Sequence, residues 1–134
     1  MSKVAVVYWS GTGNTETMAN MVAAGAKDAG AEVDVIFASD FNADKVADYD
    51  GIAFGCPSMG DEILEEGEFQ PMWDDVKDSL AGKKVVLFGS YGWGDGEWMR
   101  NWEAEVSAIE TFICNEAPDD DAEAECKSLG ASIA

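Results

Sequence analysis

Five short runs of apolar, often β-branched residues alternate along this chain with segments whose apolar residues recur at helical spacing, and this alternation restricts the fold more than any other feature. The first run is Val4-Ala-Val-Val-Tyr8. It gives way to Ser10-Gly-Thr-Gly-Asn14 and then to Met18, Met21, Val22, Ala26 and Ala29 on one helical face, with Gly30 just past the helix end. Glu32–Phe37 reads as a second strand, Asn42–Ala47 as a short helix and Gly51–Gly55 as a brief buried strand. A long polar loop from Cys56 to Gly67 leads to a helix with Pro71 in its first turn, Met72, Trp73, Val76 and Leu80 on its apolar face, and Gly82 as its stop. Lys83–Phe88 is the fourth strand. Trp98, Trp102 and Val106 mark a further helix, and Ile109–Cys114 is the fifth strand. The last helix starts at the acidic run Asp119 to Asp121 and carries Ala122, Cys126, Leu129 and Ile133 as a stripe.

Strands alternating with helices imply a five-stranded parallel sheet covered on both faces, a doubly wound α/β fold. With 134 residues, the chain 1–134 suits one domain. A domain of that size buries about two thirds of its unfolded surface, enough for a core without disulfide or metal support. Ligands in such folds sit beyond the carboxyl ends of the strands. The loops after strands one, three, four and five emerge there, so one site built from several loops is expected.

Composition removes several chemistries. Lys and Arg number 8 against 27 Asp and Glu, a net charge of -19. That field repels phosphate backbones and anionic headgroups, so nucleic-acid and membrane-surface roles are disfavoured, while a cationic protein patch is attracted. Histidine is absent, which excludes Ser/His/Asp and Cys/His catalysis and histidine-ligated metals. Cys56, Cys114 and Cys126 show no CxxC spacing and are too few for a four-thiolate site, so no metal site is expected and any redox chemistry needs an organic cofactor. The apolar stretch Val4 to Trp9 is too short for a signal-peptide core or a membrane span, and a cytoplasmic protein is expected.

Three loops carry candidate chemistry. Ser10-Gly11-Thr12-Gly13-Asn14-Thr15 joins a strand to a helix and reads as an anion cradle, in which N–H groups at the helix start bind a terminal phosphate without a cation. The same stretch also reads as a plain turn with Asn14 or Thr12 as helix cap. It is neither a Walker loop, since no Lys follows the glycines, nor the dinucleotide fingerprint, whose third glycine is Glu16 here. Met59-Gly60-Asp61-Glu62 has glycine at the first central position of a tight turn whose peptide can flip cheaply, and taken alone it reads better as an ordinary acidic surface loop. Ser90-Tyr91-Gly92-Trp93-Gly94-Asp95-Gly96 interleaves two aromatics with three glycines, a pattern with no periodicity to bury them, and suggests stacking on something flat. Trp73, Trp98, Trp102 and Cys126, at helical spacing, read as packing residues, and Asp119 to Asp121 as a solvated helix cap. A Ca²⁺ loop would need other residues than Ala124 and Gly130 at its sixth and twelfth positions. The third strand ends in Gly55-Cys56 rather than a phosphoacceptor Asp, and no Cys-x5-Arg phosphatase loop occurs.

Together these loops resemble the flavodoxins, specifically the short-chain type from anaerobic bacteria. The residues that carry the resemblance are Tyr8-Trp-Ser-Gly-Thr-Gly-Asn-Thr15, Met59-Gly-Asp-Glu62 with Glu65-Glu66, Gly82-Lys-Lys-Val85, Leu87-Phe-Gly-Ser-Tyr-Gly-Trp-Gly94, Glu97-Trp-Met99, Asn115-Glu116, Pro118-Asp119 and Cys126. The resemblance implies strand order 2-1-3-4-5, a non-covalent FMN cycling between semiquinone and hydroquinone, and low-potential one-electron transfer between redox proteins. By the same analogy Ser10, Thr12, Gly13, Asn14 and Thr15 hold the phosphate, Pro57 and Ser58 lie near the ribityl chain, Met59 packs on the inner flavin face and Trp93 on the outer. Glu62 accepts from the ring N3–H, with Ser90, Tyr91, Gly92 and Asn115 nearby, and the Gly60 carbonyl flips to accept a proton-bearing N5. One departure stands out: Val106-Ser-Ala-Ile109 passes from helix to strand in about two residues, where the family has a longer connection.

No Lys or Arg occurs in 4–26, 46–76 or 85–99, while Asp61, Glu62, Glu65, Glu66, Asp95 and Glu97 flank the expected flavin edge. The charges therefore oppose an added electron, and they steer transient encounters with redox partners bearing basic patches. A monomer is expected. The competing readings are a flavin-dependent quinone or nitro reductase, which would need a second pocket or a basic nicotinamide-phosphate site, and a redox-inert anion-binding module.

Overall fold

The computed structural model describes residues 2–11, 13–59, 62–92, 94–106 and 108–134. Strands β1 (Lys3–Tyr8), β2 (Glu32–Phe37), β3 (Gly51–Gly55), β4 (Lys84–Tyr91) and β5 (Glu110–Asn115) form one sheet in the order β2-β1-β3-β4-β5. Every neighbouring pair is parallel, as the alternation of strands with helices requires.

Alternation along β1 shows how the two layers arise. Val4 and Val6 face α1 (Asn14–Asp28) and α5 (Asp120–Ser132), where they meet Met18, Val22, Cys126 and Leu129. Ala5 and Val7 face the opposite layer, with Phe54, Trp73 of α3 (Phe69–Val76), and Trp98 and Trp102 of α4 (Glu97–Glu103). Trp73, Trp98 and Trp102 are all but fully buried, so the tryptophans at helical spacing are core residues, as is Cys126. The apolar stripe of α5 is buried too, and its N-cap is Asp119, whose side chain accepts from the Ala122 N–H at 2.9 Å.

Element boundaries move where tertiary contacts outweigh local signals. The helix expected to begin near Pro71 starts at Phe69, because the Glu65 carboxylate accepts from the N–H groups of Glu68 and Phe69 at 2.7 and 2.8 Å. It ends at Val76, and a 3₁₀ turn over Lys77–Ser79 follows. The short helix is α2 (Ala43–Val46), preceded by a 3₁₀ turn at Ala38–Asp40. β4 runs on to Tyr91 instead of stopping at Phe88, since Ser90 and Tyr91 pair with Cys114 and Asn115 of β5. The expected two-residue link into β5 is longer: α4 ends at Glu103, and the N–H groups of Glu105 and Val106 tighten onto the carbonyls of Trp102 and Glu103, three residues back. The chain then enters the sheet through the Ile109 N–H, bonded to the Val85 carbonyl at 2.7 Å.

Candidate cofactor site at the carboxyl end of the sheet

The loop after β1 is held by its own side chains. Ser10 Oγ accepts from the Gly13 N–H at 3.1 Å, and Gly13 sits at φ 100°, a left-handed conformation open to glycine without strain. Gly13, not Asn14, is the residue that precedes α1, and no side chain caps it. The alternative of an Asn14 cap is therefore not what the chain adopts: Asn14 is the first helical residue, and among the described residues no side chain caps the helix start. Thr15 is 1 % exposed, and its hydroxyl has no partner among the described residues. A buried orphan hydroxyl beside free helix N–H groups is the donor set an anion needs.

Past β3 the chain doubles back on itself. Met59 and Ile63 exchange both backbone hydrogen bonds, at 2.9 and 3.0 Å, enclosing the turn expected there. Glu62 takes φ 59°, rare for a non-glycine residue, and its Oε1 is buried without a partner. The base of this loop is fixed by Glu65, whose carboxylate accepts from Gly67, Glu68 and Phe69. Burial works to raise the Glu65 pKa, but these three N–H donors prevail and hold it below its ordinary value. The loop is tied to its neighbours by Ser58 N–H to the Ser90 carbonyl at 3.0 Å and by Trp98 Nε1 to the Cys56 carbonyl at 3.2 Å.

Beyond β4 and β5 the backbones interlock. Asn115 Nδ2 and the Glu116 N–H both donate to the Tyr91 carbonyl, at 3.1 and 2.8 Å, and the Tyr91 ring lies 5.6 Å from that of Trp98. Glu116 has φ 57°.

These loops bound one groove of about 240 Å³, lined by Trp9, Gly11, Asn14, Pro57, Ser58, Met59, Ser90, Tyr91, Gly92 and Glu116. Eight of those ten are among the residues expected from the sequence. Ser10, Gly13 and Asn115 act behind the lining by holding the loops, Thr15 is buried, and Glu62 with Gly94 borders the neighbouring face towards Trp98. Thr12, Gly60, Asp61 and Trp93 lie outside the described residues. Trp9 and Glu116 were not anticipated. Trp9 follows a strand end and gives no periodic signal, yet its Nε1 donates to Glu68 at 3.1 Å and its ring covers Gly11. Glu116 is drawn in by a backbone conformation that no local pattern announces.

Burial raises the pKa of all three thiols. Burial pushes Cys56 well above the thiol range, with the Glu65 N–H opposing weakly, and burial followed by the charges of Cys114 and Glu125 pushes Cys126 up to about 12. A groove of backbone donors, hydroxyls and aromatics with no thiolate and no imidazole is built to hold a flat anionic organic group.

Comparison with known proteins agrees with that chemistry. The flavodoxin family model matches residues 6–131. The chain is similar to the flavodoxin of Megasphaera elsdenii, 50% identical over 98% of each chain, and to that of Clostridium beijerinckii, 46% identical over 96% of this chain and 97% of the relative. The solution structure of the two-electron reduced Megasphaera elsdenii flavodoxin superimposes with a TM-score of 0.89 over 97% of both chains.

Proposed function

We propose, on the premise that this chain belongs to the flavodoxin family, that its loops after β1, β3, β4 and β5 grip one FMN at the carboxyl end of the sheet, within a single domain spanning 1–134. The protein is an FMN-bound electron carrier and not an enzyme. FMN supplies the one-electron chemistry that no side chain of the site provides.

The observation that carries the assignment is the pair of buried oxygens without partners among the described residues, Thr15 Oγ1 at the start of α1 and Glu62 Oε1 in the loop after β3. Burying a polar atom unpaired is costly, so an orphan donor behind the groove and an orphan acceptor on the adjoining face are open to a ligand with complementary groups. Thr15, with Ser10, Gly11, Thr12, Gly13 and Asn14, takes the phosphate. Pro57 and Ser58 border the ribityl chain, and Met59 and Trp93 flank the ring. Glu62 accepts a ring N–H, Gly60 and Asp61 are assigned to the same cofactor-binding segment, and Ser90, Tyr91, Gly92, Gly94 and Asn115 shape the ring's edge. Trp9 and Glu116 join them as lining residues.

The carrier passes electrons to partner proteins. We assign it redox donors and acceptors with basic docking patches, met briefly, since steering by charge raises encounter rates without long residence. Three free cysteines are at home in a reducing cytoplasm, and among the described residues no helix is long and apolar enough to cross a membrane. Among the described residues the large exposed apolar side chains, Val35, Ile63 and Ile109, belong to three separate segments, which supports a monomer. The deciding experiment is FMN titration of the apoprotein beside Thr15→Val and Glu62→Gln. Stoichiometric binding by the parent that weakens in both variants supports the assignment, and unchanged affinity in both overturns it.

A further inference from the structure

Arg100 is the one basic residue between Lys84 and Lys127. It lies in the last turn of the seven-residue α4, where the helix dipole favours a cation, yet its side chain does not turn towards the helix end. It folds back over the helix start instead, Nη1 donating to the Asp95 carbonyl at 3.0 Å and Nη2 to Asp95 Oδ1 at 2.9 Å. Both groups are exposed, the guanidinium 61% and the carboxylate 79%, and an ion pair so exposed adds little to folding stability. What the fork does achieve is geometric. By taking one backbone and one side-chain oxygen of the same residue, it fixes both the position and the direction of the chain at Asp95.

That segment needs fixing. Asp95 is flanked by Gly94 at φ 89° and Gly96 at φ 93°, so the backbone on either side has little intrinsic stiffness. Gly94 is also a contact surface: a Cβ built there would fall on the Glu62 carboxylate, which therefore rests directly against the Gly94 backbone. Glu62 in turn holds the buried oxygen without a partner. The guanidinium is surrounded by the charges of Asp95, Glu97 and Glu62, so it offsets part of the negative field at the place where that field is densest.

We propose that Arg100 is a positioning residue for electron transfer: its two-point grip on Asp95 fixes Gly94, Gly94 keeps the Glu62 carboxylate seated, and the same guanidinium trims the negative field felt by the cofactor. This rests on the assignment of Glu62 to the cofactor made above. Arg100→Lys keeps the charge and loses the planar fork, whereas Arg100→Gln loses both, so the pair separates grip from field.

The test measures amide hydrogen exchange at residues 94–97 in the apoprotein, and FMN affinity and both one-electron potentials in the loaded protein. Exchange is expected to quicken at least fivefold in both variants and FMN to bind three- to tenfold more weakly in both, with the melting temperature unmoved. The more negative potential is expected to fall only in Arg100→Gln, by a two- to tenfold change in the equilibrium constant, roughly 18–59 mV for one electron. Exchange within twofold of the parent in both variants overturns the grip, and potentials in Arg100→Gln equal to the parent's overturn the field. If Glu62→Gln leaves FMN affinity unchanged, the assignment of Glu62 fails instead, and the exchange data still decide whether Arg100 holds the segment.

Discussion

Trp98 Nε1 donates to the Cys56 carbonyl oxygen at 3.2 Å, a buried bond that ties α4 to the turn leaving β3. Two loops far apart in sequence are thereby locked at one depth. Replacing Trp98 by Phe keeps most of the packing and leaves that carbonyl unpaired. The expected cost is about 1–3 kcal/mol in chemical denaturation, with weaker FMN binding as the turn loosens.

Thr15 gives the opposite dissociation of stability from binding. Its hydroxyl is buried and unpartnered, so Thr15→Val removes an atom that costs the empty site free energy. The apoprotein should be as stable as the parent or up to about 1 kcal/mol more stable. FMN affinity should fall roughly tenfold to 150-fold, the loss of a hydrogen bond to a charged group. A titration calorimeter and a urea curve on the same samples check both halves.

Glu65 predicts a pH dependence. Its folded pKa lies below the ordinary value of 4.5 because three N–H donors outweigh burial. A carboxylate depressed on folding contributes stability that is complete above its unfolded pKa and is lost as pH falls through the folded one. Stability should therefore decline below about pH 4.5, and Glu65→Ala, which costs about 1–2 kcal/mol near neutrality as the loss of a helix cap, should flatten that decline. Urea denaturation from pH 7 to pH 3 reads both.

The acidic rim should be felt by both the cofactor and its partners. A carboxylate ~10 Å from the ring opposes an added electron by roughly 0.4–1.7 kcal/mol before screening. Glu66→Gln with Glu97→Gln should thus raise the more negative potential by roughly 20–70 mV per site, measured by redox titration. Electron exchange with a basic redox protein should slow as salt rises, and stopped-flow rates that ignore ionic strength would point to a different docking mode.

The strands, their parallel pairing and the packing role of Trp73, Trp98, Trp102 and Cys126 were legible because each rests on periodicity, which the sequence displays directly. The groove-lining glycines and hydroxyls were legible because their composition has no use in a core. Trp9 and Glu116 were not, since one enters the groove by hydrogen bonding to Glu68 across the fold and the other by a left-handed backbone at a strand end. Helix limits moved for the same kind of reason: Glu65 starts α3 early from outside it, and β5 draws β4 on to Tyr91.

The order of residues alone determined the layers and the end of the sheet at which the groove opens, because apolar spacing and strand direction are local properties that side-chain transfer energies enforce. Only the folded chain decided which oxygens stay unpaired, which carboxylate rests on Gly94 and which guanidinium turns back to hold Asp95. The Glu62–Gly94 contact joins segments remote in sequence and exists only once the sheet has brought them together, while the Arg100–Asp95 grip spans five residues but depends on the backbone path between Gly94 and Gly96.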